Sequence, residues 1–156
     1  MAFVELHCHS AYSFLDGASH PEELAAQAAE LGYEALALTD HDGVYGSLEF
    51  AHAAKAFGVR PITGAEVSLS DGSHVTLLVE SAAGYANLCR LLTAAHAHTR
   101  ARPAEPSPPS VEAALVAELN EGLLCLSGCA RHGLASRDPN GAAALAQAFG
   151  RERFFV

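Results

Sequence analysis

The sequence predicts an α/β fold, built either on a parallel sheet or on a (β/α) barrel. Short apolar segments typical of buried strands alternate with segments of helical periodicity along the 156 residues. Hydrophobic residues make up 50% and charged residues 17%, which is the composition of a globular domain and not of a disordered chain. Polar residues follow several apolar segments directly, as functional groups do at the carboxyl ends of strands in such folds.

The first half of the chain predicts a β-α-β-α-β pattern. Residues 3–6 indicate a strand. A helix is expected to begin with Ser19 as N-cap, Pro21 in its first turn and Glu22 completing a capping box, and to end at Gly32. The remaining elements of this half are a buried strand, a helix ended by a glycine, and a third strand, at residues 35–39, 47–57 and 61–69.

The second half predicts a hairpin followed by further helices and strands. The Asp71-Gly72 turn leads into an apolar strand at residues 74–79. Helices are expected at about residues 82–97, 111–119 and 139–149, with a strand at 123–127 and a proline-rich loop at about 100–110. Residues 153–156 have the pattern of a strand that is just beginning, so we expect the chain to be part of a larger domain.

Charge and hydropathy exclude several classes of protein. The formal net charge is −9 and Lys55 is the one lysine, so a broad basic surface that binds nucleic acid is not expected. The N-terminus lacks the pattern of a signal peptide and no apolar run is long enough to span a bilayer, which predicts a cytoplasmic protein without a membrane partner. Four irregularly spaced cysteines do not form a disulfide framework.

Nine histidines are the unusual feature of the composition. His7 and His9 alternate along a predicted strand and therefore face the same side, where they could bind one metal ion, although an accidental His-x-His is equally compatible. Residues 40–42, Asp-His-Asp, follow the next strand and form either a functional cluster or an aspartate-capped helix entry. Glu66 lies in an apolar strand and is either paired with a partner or metal, or faces water on an edge strand.

Other candidates are weaker when taken alone. Asp16 precedes a glycine and could simply form a turn, and Cys129 in its Ser-Gly-Cys segment is either a ligand or a loop thiol. The remaining histidines are expected at the surface, and the remaining cysteines in the core: His20, His52, His96, His98 and His132, and Cys8, Cys89 and Cys125. A mixed set of His, Asp, Glu and Cys on several strand ends suits a multinuclear site for Zn²⁺ or Mn²⁺, with Fe as a further candidate. Such clusters activate water for phosphoester hydrolysis.

Three segments, 5–17, 36–43 and 62–66, resemble in order and spacing the first motifs of the polymerase and histidinol phosphatase (PHP) domain. Segments 10–24 and 39–46 resemble the bacterial DNA polymerase III alpha-type branch of that superfamily, and within it the error-prone homologues. Segments 74–80, 84–91 and 126–129 are also more similar to the polymerase type than to free-standing phosphatases. The resemblance implies a PHP-type distorted (β/α) barrel, of which residues 1–156 are an incomplete N-terminal portion without polymerase domains.

The resemblance also implies the residues of the site. The metal ligands would be His7, His9, Asp16, His41, Glu66, His74 and Cys129. His9, His41 and Asp40 would be catalytic, with Asp40 orienting the site or binding at its rim. The Asp-x-His pair that the family carries near the end of the domain does not occur after Cys129. A tight hairpin at Asp71-Gly72 would leave His74 roughly 10 Å from Glu66, so a bend or bulge is needed to bring them together.

The function that the resemblance implies is that of an N-terminal PHP domain fragment from an error-prone DNA polymerase. The intact protein would extend primers in damage-induced DNA synthesis, would bind DNA through its downstream polymerase domains, and would contact other replication or repair proteins. The PHP domain would either support the fold or remove nucleotides by metal-dependent hydrolysis. The alternatives are a free-standing PHP phosphoesterase that acts on nucleotides or small phosphate esters, and a structural module without catalysis.

Overall fold

The computed structural model describes residues 3–99 and 107–156. It divides into two compact units, an N-terminal unit of residues 1–65 and a C-terminal unit of residues 66–156. The described helices are α1 Pro21–Glu30, α2 Ser47–Ala56, α3 Ala82–His96, α4 Ala113–Glu118, α5 Leu134–Arg137 and α6 Pro139–Phe149. The described strands are β1 Ala35–Leu38, β2 Arg60–Ser68, β3 His74–Val79, β4 Leu123–Leu126 and β5 Phe154–Phe155.

The predicted α/β class is confirmed, with a sheet that is mixed and not purely parallel. The hydrogen-bonded order of the described strands is β1-β2-β3-β4-β5, and this sheet is not closed into a barrel. β1 pairs in parallel with the first half of β2. β3 and β4 are antiparallel, whereas β4 and β5 are parallel.

The first predicted strand is wrong as an element. Residues 3–6 form no regular strand, and the segment contacts β1 through one isolated bridge between Glu5 and Leu36. Two backbone hydrogen bonds, from Ala37 N to Glu5 O and from Thr39 N to Cys8 O, both at 2.9 Å, keep the segment alongside β1. The extended course beside β1 nevertheless brings residues 7–9 to the end of that strand, where the sequence places them.

The first helix begins one residue later than predicted. His20, and not Ser19, is the N-cap, with extended backbone angles of φ −69° and ψ 154°. The Glu23 carboxylate, and not that of Glu22, accepts the His20 N–H at 2.8 Å. The reason lies in Pro21, because the residue before a proline is driven out of the helical region and the helix can only start at the proline itself.

A compact apolar core holds the N-terminal unit together. Its members come from α1, β1 and α2 and from the turn that follows α2: Ala25, Ala28, Leu36, Leu38, Phe50, Ala54 and Val59. All four residues of β1 are buried, as expected for a strand covered on both faces. β1 ends at Leu38, and Thr39 alone separates it from the polar segment 40–42.

The described residues of the C-terminal unit follow the predicted order of elements with one addition. The short helix α5 was not expected. Of the predicted proline-rich loop, residues 100–106 lie outside the described residues, and 107–110 form no regular element. In the described ranges, no helix has the length and apolar character needed to cross a membrane.

The contact between α3 and the turn before β4 yields a stability test. A Cβ on Gly84, inside α3, would overlap the carbonyl oxygen of Gly122. Gly84→Ala is therefore expected to lower the free energy of unfolding by about 1–3 kcal/mol, although alanine is the better helix former. Chemical denaturation measures the change. Ala86→Gly, at an exposed position of the same helix, is the control and should cost about 1 kcal/mol. A more stable Gly84→Ala variant would contradict the close packing.

Candidate metal centre

Four of the predicted ligands lie together in the N-terminal unit and are called here the N-terminal set: His7, His9, Asp16 and His41. His7 and His9 come from the extended segment beside β1, Asp16 from the loop that precedes α1, and His41 from the segment after β1. Three chain segments thus deliver imidazoles and a carboxylate to the end of one buried strand. This is the arrangement that the sequence predicts for them.

The donor atoms of the N-terminal set face one another at short distances. His9 Nε2 lies 3.1 Å from His7 Nε2. Asp16 Oδ2 lies 2.6 Å from His9 Nδ1 and 3.3 Å from His41 Nε2. The rings of His9 and His41 meet edge to face, with their centroids 4.4 Å apart. One carboxylate oxygen therefore contacts two imidazoles, and one of those imidazoles also contacts a third.

Two of these distances fit the spacing of ligands around a divalent metal ion, whereas the 2.6 Å contact of Asp16 Oδ2 with His9 Nδ1 is that of a hydrogen bond. Two ligands of a tetrahedral Zn²⁺ at about 2.0–2.1 Å from the ion lie about 3.3 Å apart. The 3.1 Å separation of His7 and His9 and the 3.3 Å separation of Asp16 and His41 match that spacing. His9, Asp16 and His41 each offer a donor atom, all within 4.8 Å of one another. Imidazole and carboxylate donors suit Zn²⁺, Mn²⁺ and Fe.

The electrostatics of the set favour an ionised Asp16. The hydrogen bond from His9, followed by the nearby charge of His9 and His41, holds the pKa of the Asp16 carboxyl below its usual range. A carboxylate must be deprotonated to bind a metal, so the shift keeps Asp16 ready as a ligand. The close contact with His9 Nδ1 also orients that ring, in the way that carboxylates orient metal-binding histidines.

Asp40 is the buried carboxylate beside this set. It is 1% exposed and accepts three hydrogen bonds from the neighbouring loop. Its Oδ1 accepts from Ser10 N and Ser13 Oγ, each at 2.7 Å, and its Oδ2 accepts from Ser10 Oγ at 2.8 Å. These contacts fix the loop that carries Asp16 to the segment that follows β1.

Ser10 and Ser13 are functional candidates that the sequence analysis missed. Both are buried, at 0% and 1% exposure, although they lie in a polar loop. A signal was available, since a buried carboxylate after a strand needs hydrogen-bond donors, and Ser10 and Ser13 are the two serines between His9 and Gly17. Sequence alone does not say that these serines turn inward to Asp40.

The other three predicted ligands lie in the C-terminal unit and are called the C-terminal set: Glu66, His74 and Cys129. His74 Nδ1 lies 3.4 Å from Glu66 Oε1, and both side chains are largely buried. The expected 10 Å separation is therefore wrong. The turn pairs Leu69 with Ser73, and not with His74, through a 2.8 Å hydrogen bond. His74 is therefore one residue nearer to Glu66 along the ladder, and its side chain contacts Glu66.

Cys129 approaches the same histidine from the loop after β4. Its backbone N–H donates to His74 Nε2 at 3.3 Å. Its thiol is exposed and accepts the His132 N–H at 3.3 Å. The backbone N–H groups of His132, Arg131 and Gly133 hold the pKa of the Cys129 thiol below its usual value, the first of them most strongly. A thiolate is the form that binds metals.

Of the three cysteines expected in the core, Cys125 is buried there, whereas Cys8 and Cys89 are only half-buried. Cys125 alone among the three is fully buried, and burial raises the pKa of its thiol to about 12. Cys8 and Cys89 are half-buried, and burial together with nearby Glu5 raises the pKa of Cys8 to about 11. His20 and His52 are at the surface as predicted. The structure thus separates one exposed thiol whose pKa is lowered, Cys129, from two thiols whose pKa is raised by burial, Cys8 and Cys125.

Comparison with known proteins places the chain in a family. The PHP domain family matches residues 5–153. An error-prone DNA polymerase from Symbiobacterium thermophilum is 43% identical over 162 aligned residues, which cover 97% of this chain and 15% of that protein. An error-prone DNA polymerase from Mycobacterium tuberculosis is 53% identical over 106 residues, which cover 62% of this chain and 10% of that protein. The chain thus spans about a seventh or less of the length of these relatives.

The fold has a counterpart among solved structures. A protein from Bifidobacterium adolescentis described as a metal-dependent phosphoesterase superposes with a TM-score of 0.68, over 95% of this chain and 75% of that one. Their sequence identity is 15%, so the likeness concerns the fold alone.

The thiols offer a direct test of the C-terminal set. Iodoacetamide is expected to modify Cys129 first, because its thiol is exposed and its pKa is lowered, whereas Cys125 should react only on unfolding. Saturating Zn²⁺ should slow the modification of Cys129 at least about tenfold, because a metal-bound thiolate is a weaker nucleophile. Peptide mass spectrometry over time gives both rates. Equal rates for Cys129 with and without Zn²⁺ would exclude it as a ligand.

Proposed function

Because the chain belongs to the PHP domain family, we propose that it is the PHP domain of an error-prone DNA polymerase and that it carries a metal-dependent phosphoesterase-like centre. The observation that carries the second part is the convergence of Asp16 Oδ2 on two imidazoles in the N-terminal set. Relatives that share 42–53% identity and are named error-prone DNA polymerases support the first part.

In this proposal the intact protein extends primers on a DNA template during damage-induced synthesis. The chain spans 15% or less of its polymerase relatives, so primer extension and most DNA contacts belong to regions beyond this chain. The net charge of −9 supports that division, because an acidic surface repels a DNA backbone. Other replication or repair proteins would be partners of the intact protein.

The proposed ligands are the N-terminal set, His7, His9, Asp16 and His41, together with the C-terminal set, Glu66, His74 and Cys129. Zn²⁺ or Mn²⁺ suits these donors, and Fe is a further candidate. When bound, such ions supply a hydroxide from water and polarise a phosphoryl oxygen. The fit rests on the donor spacing of 3.1 and 3.3 Å within the N-terminal set.

The chain's own residues contribute orientation and proton control. Asp16 Oδ2 accepts a hydrogen bond from His9 Nδ1 at 2.6 Å, which leaves His9 Nε2 to face the centre next to His7 Nε2. His41, with 39% of its side chain exposed, is accessible to a phosphate ester. We therefore assign His9 and His41 to the reacting groups. Asp40 is assigned to orienting the site through its hydrogen bonds with Ser10 and Ser13.

Metal content tests the site. His9→Ala and His41→Ala are each expected to lower the bound metal per chain to less than about half of the wild-type value, because each removes a donor. Elemental analysis of protein purified without chelators measures the content. His52→Ala is the matched control, since His52 is an exposed residue of α2 and no predicted ligand. Wild-type metal content in both site variants would show that the centre is misplaced.

Hydrolysis distinguishes a catalytic from a structural domain. Full-length chain loaded with Mn²⁺ is expected to release phosphate from a nucleotide, and His41→Ala is expected to lower the rate by about 10²-fold or more. Bound metal without turnover would favour the structural alternative. A chain that binds no transition metal would contradict both enzymatic readings, the polymerase-associated one and the free-standing phosphoesterase.

A further inference from the structure

We propose that Ser13 is a positioning residue for Asp16: it ties the loop that carries Asp16 to the buried Asp40 and to the backbone of His41. The inference rests on the proposed function, because it takes the N-terminal set to bind a metal ion. It assigns a role to a residue that is neither a ligand nor a reacting group.

The hydroxyl of Ser13 both donates and accepts a hydrogen bond. It donates to Asp40 Oδ1 at 2.7 Å and accepts the backbone N–H of His41 at 3.1 Å. Ser13 is 1% exposed, so water does not compete for either bond. A hydroxyl has one donor and can also accept, and here both capacities are engaged. Ser13 is thereby fixed to the chain segment that carries His41.

The backbone of Ser13 holds the turn that leads to Asp16. Its carbonyl oxygen accepts the N–H of Asp16 at 3.1 Å and that of Gly17 at 2.9 Å. Between Ser13 and Asp16, Leu15 has a left-handed φ of 69°, a backbone conformation that is strained for a non-glycine residue. The Leu15 side chain is fully exposed, so packing of that side chain does not offset the strain. The turn therefore depends on its hydrogen bonds.

The backbones of Gly17 and Ser10 pack closely, which fixes the distance between the two ends of the loop. A Cβ on Gly17 would overlap the carbonyl oxygen of Ser10. Ser10 is itself hydrogen-bonded to Asp40 through both its N–H and its hydroxyl. The loop from Ser10 to Gly17 is thus closed on itself and anchored on one carboxylate.

Asp16 depends on this loop for its position because burial does little to fix its side chain. Its side chain is 56% exposed, yet Oδ2 must lie within reach of both His9 Nδ1 and His41 Nε2. A change of 1 Å in the turn would break at least one of these contacts. Loss of the Ser13 hydroxyl should therefore weaken metal binding through Asp16, and not only lower the stability of the fold.

The first test is a double-mutant cycle on metal affinity in the full chain, with Zn²⁺ as the probe in calorimetric titration. Ser13→Ala is expected to weaken Zn²⁺ binding about 10–100-fold, as loss of an orienting partner does. In an Asp16→Asn background the same substitution should change affinity by less than about threefold. Ser81→Ala is the control, because it removes a single hydrogen bond, from Gly84 N, and should change affinity less than about twofold.

The second test needs no metal. In metal-free Ser13→Ala protein, amide hydrogen exchange of Asp16 and Gly17 is expected to be at least about tenfold faster, whereas the Ala37 amide, bonded to Glu5 O, keeps its wild-type rate. If Ser13→Ala does not fold by circular dichroism, Ser10→Ala replaces it, since it removes the bond to Asp40 Oδ2 and should give the same pattern.

The outcomes separate the inference from the proposed function. Wild-type protein that fails to bind Zn²⁺ would overturn the metal centre and the role of Ser13 in it. Wild-type protein that binds Zn²⁺, with a folded Ser13→Ala variant of equal affinity, would overturn the inference alone. An equal loss of Zn²⁺ affinity on Ser13→Ala substitution in the presence and absence of the Asp16 carboxylate would also overturn the inference, because the effect would then not pass through Asp16.

Discussion

One buried carboxylate organises the N-terminal unit. Asp40 lies at 1% exposure two residues after the end of β1, a strand whose four residues are all buried, so its carboxyl oxygens have almost no access to bulk water. An ionised carboxylate in such a place is tolerated only when hydrogen bonds satisfy it. The loop of residues 10–17 provides three such bonds. The need to solvate Asp40 therefore determines the course of the loop, and the loop determines where Asp16 lies.

This dependence explains why ligands from three segments meet. His7 and His9 are placed by two backbone hydrogen bonds to β1 and the residue after it, His41 by its position one residue after Asp40, and Asp16 by the loop. The positions of His7, His9 and His41 follow from strand geometry, whereas the position of Asp16 depends on side-chain hydrogen bonds. In the proposed function, a site built in this way would hold its ligands in place before a metal binds, which would lower the conformational cost of binding.

The parts of the structure that could be predicted from sequence are the elements set by apolar periodicity and by single residues, such as glycine, that strongly favour the end of a helix. β1, α2, β3 and α6 follow from apolar patterns and from glycines that end helices. Three features could not be predicted, because tertiary contacts decide them: the missing first strand, the bond between His74 and Glu66, and the burial of Ser10 and Ser13. A serine in a polar loop has the same pattern whether it faces water or a buried carboxylate. The N-cap at His20 was predictable in principle, since Pro21 alone excludes Ser19.

The acidity of the chain bears on how a phosphate ester could reach the proposed centre. With 18 acidic residues against 9 Lys and Arg, the field around the protein repels an anionic substrate. Bound divalent ions are the largest local charges in such a site and reverse its sign. In the proposed function, the metal would then be required for substrate binding as well as for hydrolysis, so the metal-free fraction of the protein would neither bind the ester nor hydrolyse it.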